Sequence, residues 1–116
     1  MATLTPVRIS AAGLADYTAS LTAADVAGDT VPAANKLLIV LENGDASSHT
    51  LTVTKPADSV NCDGYGDLTL TDLTLVVAAG DTGFLTIPGK YASGGNFTWT
   101  YDAVTSLNIG VFSLVP

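Results

Sequence analysis

Residues 36–56 constrain the fold more than any other stretch. An apolar run, Leu37, Leu38, Ile39, Val40 and Leu41, climbs to Asn43-Gly44-Asp45, and an alternating run returns through Thr54. Asn and Gly tolerate the positive φ that tight two-strand connections need, so this pattern predicts a β-hairpin. Strand side chains alternate with period two. In the first arm Leu37, Ile39 and Leu41 point one way, and Leu38 and Val40 the other. In the second arm Leu51 and Val53 share a face, opposite Thr50, Thr52 and Thr54. A strand apolar on both sides needs cover on both. Something therefore lies over Leu38 and Val40: a segment of the same chain or a neighbouring subunit.

The rest of the chain carries the same signature. Residues 3–9 have strand character, but Pro6 cannot donate to a ladder, which makes 1–9 an edge strand or extended N-terminal arm. Residues 10–35 read as irregular chain with short strand pieces, because Gly13, Thr18, Thr22 and Gly28 weaken the one helical pattern present. Gly28 to Pro32 reads as a turn into the first arm, and residues 57–66 as a loop of turn formers. Strands are expected from Leu68 to Val77, from Phe84 to Ile87, from Phe97 to Tyr101, and from Leu107 to Val115. Six to eight short strands at this spacing predict an all-β fold: one antiparallel sandwich or jelly-roll-like domain over 1–116.

Charge narrows the partners. Eleven acidic residues against four basic ones give a net charge of −7. Arg8, Lys36, Lys55 and Lys90 are too few and scattered to replace counterions on phosphates, which argues against nucleic acid and anionic membranes. No apolar run approaches the roughly 20 residues of a membrane-spanning helix. The N-terminus lacks the basic start and apolar core of a signal peptide, so synthesis and folding are expected in a reducing cytoplasm. Charged residues make up 13% of the chain, against about 25% in ordinary domains, which suits a surface partly buried against partners.

Catalytic and metal chemistry find little support. Asn61, Cys62, Asp63 and Gly64 resemble part of a calcium loop, but that register places Ser59 at position one and Leu70 where a carboxylate is required. An Asp/Gly-rich turn is the simpler reading. His49 stands beside Asp45, Ser47 and Ser48, yet nearness in sequence does not supply triad geometry. The lone Cys62 makes neither an internal disulfide nor a zinc site. The chain is expected to be no enzyme and to hold no metal or cofactor. Phe97, Trp99 and Tyr101 share one strand face. They form either sandwich core or, with Tyr91, a platform of Tyr91, Trp99 and Tyr101 that stacks sugars or anchors a partner.

Several blocks, in order, resemble the head decoration (cement) proteins of tailed phages. They are Ala12 to Ala19; Gly28 to Pro32, entering Leu38 to Gly44; Ser48 to Thr54; Asp63-Gly64; Val77 to Thr82; and Tyr101 to Leu107. Two departures stand out: Ala78 replaces the proline usual before the Ala79-Gly80 turn, and only Ile87-Pro88-Gly89 follows the Phe84 strand. The resemblance implies a β-sandwich virion protein on the exterior of a bacteriophage capsid, made in the host bacterial cytoplasm. It implies a homotrimer that binds the major capsid protein and stabilises contacts between its subunits. Expected contact residues are Thr5, Val7 and Ile9 of the arm, and Leu38 and Val40 of the outer face. The alternative is a carbohydrate-binding or adhesin-type module facing host-surface glycans.

Overall fold

The computed structural model describes residues 2–11, 13–56 and 59–114. Twelve short strands and two single 3-10 turns make up the described chain. The strands are β1 (Ala2–Thr3), β2 (Val7–Arg8), β3 (Thr22–Ala23), β4 (Asp29–Pro32), β5 (Leu37–Asn43) and β6 (His49–Val53). They continue as β7 (Ser59–Cys62), β8 (Gly66–Thr69), β9 (Leu73–Val77), β10 (Thr82–Leu85), β11 (Asn96–Tyr101) and β12 (Leu107–Ser113). One sheet runs β1-β4-β11-β6-β9, and the other runs β10-β5-β12-β2 with β3 also on β12. The two pack face to face as an all-β sandwich. The pairing is antiparallel except where the arm docks: β1 lies parallel to β4, and β2 parallel to β12.

Why these strands divide so follows from their faces. Leu37, Ile39 and Leu41 of β5 meet Leu107, Ile109 and Val111 of β12 in one core with Leu51, Val53, Phe97 and Trp99 of the facing sheet. That is the alternation expected of half-buried strands. β5 pairs with β12 along its full length and with β10 from Ile39 to Glu42, the interior position a doubly apolar strand demands.

The expected hairpin at 36–56 does not form. β5 and β6 belong to opposite sheets, and residues 43–49 form a corner between them. Neither Asn43 nor Gly44 has the positive φ of a tight hairpin turn. Asn43 instead is buried and spans the corner. Its Nδ2 donates to the carbonyls of Ser47 (2.8 Å) and Val77 (3.0 Å), and its Oδ1 accepts from the Asp45 N–H (2.9 Å). The hairpin partner of β6 is β9.

Two further expectations change. Asp29–Pro32 is not a turn but the strand β4, hydrogen-bonded to β11. Residues 59–69 hold a separate two-stranded hairpin, β7–β8, and not a loop alone. Positive φ at Gly64 and Gly66 makes its turn. Between β2 and β4 the irregular reading stands: among the described residues there, a 3-10 turn at Tyr17–Ser20 and the two-residue β3 are all the regular structure. Val115 and Ala12 lie outside the described residues.

Candidate functional site

The solvent side of the second sheet gathers the sequence-predicted contact residues. Across β10, β5 and β12 the register sets Phe84, Val40 and Gly110 in one row. The next row sets Leu38, Phe112 and Val7 side by side across β5, β12 and β2. Val7 of the arm and Leu38 of the apolar strand thus flank one ring, although 31 positions separate them in sequence. A third row, Glu42 and Asn108, closes one end of the strip with a polar contact, Asn108 Nδ2 to Glu42 Oε1 at 3.3 Å. An apolar centre with a polar rim is the anatomy of a protein interface.

Cover over this face is partial, and the chain itself supplies it. Val40 is 1% exposed and Phe112 is equally buried, yet neither joins the central core. They form a second, outer apolar layer. Leu21 completes it: a β-carbon built on Gly110 would fall 2.5 Å from Leu21 Cδ2, so glycine makes room for that side chain. Val40 is therefore closed off from a partner by the chain itself, beside Gly110 where Leu21 and Phe112 pack. Leu38, Val7 and Ile9 stay half-buried, and Phe84, which the sequence did not single out as a contact, is 57% exposed at the free edge. Thr5 is exposed and lines a cleft of about 280 Å³ with Ser20, Thr22 and Gly110, where β2 and β3 leave a gap along β12.

The aromatic residues sort differently. Phe97 and Trp99 are core, at 1% and 0% exposure. Trp99 Nε1 donates to Tyr101 Oη (2.8 Å), and the Tyr101 hydroxyl donates to Asp29 Oδ2. Burial, then the bond to Asp29, pushes the Tyr101 hydroxyl well above the ordinary phenol range. Tyr91 is 5% exposed and donates to the Thr71 carbonyl (2.8 Å). It also borders a cleft of about 370 Å³ with Thr54, Lys55, Pro56, Ser93 and Thr98. Stacking needs an open ring face, and Trp99 presents none, so Tyr91, Trp99 and Tyr101 do not form a platform. Tyr65, at the tip of the β7–β8 hairpin, is instead 86% exposed.

His49 is a structural clamp. It is 4% exposed and lies between two carboxylates, Asp45 on Nε2 (2.8 Å) and Asp102 on Nδ1 (3.1 Å). The carboxylates approach opposite ring nitrogens and do not converge on one point. Among the described residues no cluster fit to hold a metal ion is found. The side chains of Asn61 and Cys62 lie outside the described residues; the strand β8 follows their turn where a calcium loop needs a helix.

The bond to Asp45, then that to Asp102, raises the His49 pKa above its ordinary value of 6.5. His49 and Ala46 hold Asp45 below the usual carboxylate range. Asp102 is also held low: burial opposes this, but the Thr50 N–H, the His49 ring and the Ala103 N–H outweigh it. The signs follow from linkage. The imidazolium contributes stability that is full below its unfolded pKa and fades as pH rises through the folded one. The carboxylate share is present above their unfolded pKa and fades as pH falls through the lowered one. Thermal stability is expected to decline as pH rises from about 6.5 through the raised His49 pKa. His49→Gln should flatten that decline; an unchanged slope in melts across this range would refute the clamp.

The chain matches no protein-family model, no curated protein and no solved structure.

Proposed function

We propose that the chain is a structural virion protein, a decoration or cement protein that binds the outside of a phage capsid and stabilises contacts between major capsid subunits. The observation that supports this best is the outward-facing apolar strip of exposed Phe84 and half-buried Leu38 and Val7, bounded by the polar pair Glu42 and Asn108. The resemblance of the ordered sequence blocks points to the same role. An attached protein adds buried area across subunit boundaries, and mass action then favours the assembled shell. Many such sites on one particle act together. The alternative, a sugar-binding module, is left without an exposed ring face at Trp99 or Tyr91.

Co-sedimentation with decoration-free capsids tests the proposal. Wild-type protein is expected to pellet with the shells. Phe84→Asp places a charge on the most exposed residue of the strip and should weaken binding by about 30-fold or more, the cost of losing a hot-spot residue. Its melting temperature should hardly change, because Phe84 stands on the surface. A Phe84→Asp variant that pellets like wild type would remove the strip from the interface. Failure of the wild-type protein to pellet would remove the function.

A further inference from the structure

We propose that Asn43 is a latent modification site: the fold shields the Asn43-Gly44 bond from deamidation, and a chain that loses the Asn43 amide while open does not regain the native corner. Of five asparagines, Asn43 alone precedes glycine. In that pair the next backbone nitrogen can reach the side-chain carbonyl carbon, because glycine has no β-carbon to obstruct it. Base takes the Gly44 N–H proton, and the nitrogen attacks Asn43 Cγ. A five-membered imide closes, the Cγ–Nδ2 bond breaks, and Nδ2 takes a proton from water and leaves as ammonia. One water then opens the ring at either carbonyl. The product is aspartate, or isoaspartate, whose main chain runs through Cβ. Water is the only co-reactant consumed.

The native corner holds each participant away from this reaction. Asn43 is 1% exposed, so base and water reach its side chain poorly. The Nδ2 that must leave is bound to the Ser47 and Val77 carbonyls. Gly44 is exposed, but its N–H is engaged elsewhere, donating to the Ser106 carbonyl at 2.9 Å. The Asn43 N–H donates to the Asp81 carbonyl at 2.9 Å, and β5 fixes Asn43 opposite Leu107 of β12. Turning the Gly44 nitrogen onto Cγ breaks these bonds, so the reaction waits on local opening of the corner. Packing also explains why so labile a pair stands here. Asn43 is needed for its amide, and a β-carbon on Gly44 would lie only 3.2 Å from the Ser106 carbonyl oxygen.

The change is one-way because of what the amide does in the fold. A carboxylate at position 43 has no donor to offer the Ser47 and Val77 carbonyls. Burying it there without a partner is costly. Isoaspartate also adds an atom to the main chain where β5 enters the corner. Modified chains therefore leave the folding equilibrium, and unfolding becomes irreversible with time. His49 bears on the rate. Its ring holds Asp45 at 2.8 Å, and the Asp45 N–H in turn donates to Asn43 Oδ1 at 2.9 Å, so the clamp helps keep the corner shut. This shielding holds whatever the chain attaches to.

Peptide mapping by mass spectrometry, with an isoaspartate assay, tests it. Wild-type protein is held in mildly alkaline buffer, with and without guanidinium chloride. Aspartate and isoaspartate at position 43 are expected to form about a hundredfold or more faster in the denaturant, since only open chains react. His49→Gln should speed the reaction in buffer and leave the denatured rate unchanged. After the denaturant is removed, unmodified chains should refold and chains modified at position 43 should not, as circular dichroism of the separated fractions reads. Equal rates in buffer and denaturant, no product at position 43 in denaturant, or modified chains that refold and melt like wild type would overturn the proposal.

Discussion

Trp99→Ala is expected to cost about 3–5 kcal/mol of stability, the range for emptying a large buried aromatic site. Trp99 lies at the centre of its sheet, paired with Val53 on one side and Asp29 on the other. It has no exposed surface. Its indole also donates to the Tyr101 hydroxyl, which in turn donates to buried Asp29. Truncation thus leaves a cavity and shortens the chain of donors that ends at a buried carboxylate. Denaturant unfolding followed by circular dichroism reads the loss, since the variant removes the single tryptophan. A melting temperature lower by about 10–20 °C corresponds to that cost. If the ring were a solvent-facing platform, the change would stay within about 0.5 kcal/mol, as for ordinary surface substitutions.

Asn43→Ala should cost about 2–4 kcal/mol, which is large for a polar residue. Asn43 is 1% exposed, and its amide joins the end of β5 to the carbonyls of Ser47 and Val77 and to the Asp45 N–H. Alanine leaves those groups without their partner where water is scarce. Asn43→Asp keeps the shape and the acceptor but turns the donor into a second acceptor facing carbonyls. It should be at least as damaging at pH 7 and recover in part at acid pH, where a protonated carboxyl donates again. Chemical denaturation of both variants at pH 7 and 4 checks this; an Asn43→Asp variant as stable as wild type would show that the corner does not depend on the amide.

Asn43 also marks where the sequence was legible and where it was not. Period-two alternation located β5, β6, β9, β11 and β12, because half-buried strands impose it on their side chains. It also showed that β5 needs cover on both faces. Alternation carries no information about which strand pairs with which. Asn43-Gly44 resembles a tight turn by composition, but the buried amide uses the same residue to carry the chain between sheets. β4 was hidden for a similar reason. Pro32 and the preceding Gly28 have turn chemistry; Gly28 does close a turn on the Asp25 carbonyl, and it also allows close approach, since a β-carbon there would meet the Trp99 carbonyl oxygen at 2.5 Å.

The candidate surface shows the same division. Leu38 and Val7 were readable singly, as an apolar residue on an outer face and as part of an arm. Their meeting across Phe112 depends on a parallel pairing between sequence-distant strands, which no local pattern encodes. Val40 fell to Leu21, from a stretch with little regular structure, and Gly110 opened the space. His49 gave no signal of its clamp, because Asp102 arrives from a loop 53 residues away.

The most direct test of the proposed capsid role is the rupture temperature of decoration-free shells, with and without the purified protein. A rise with saturating wild-type protein, and little or no rise with Phe84→Asp, is the predicted result. Shells that rupture at the same temperature with wild-type protein as without it would contradict the role.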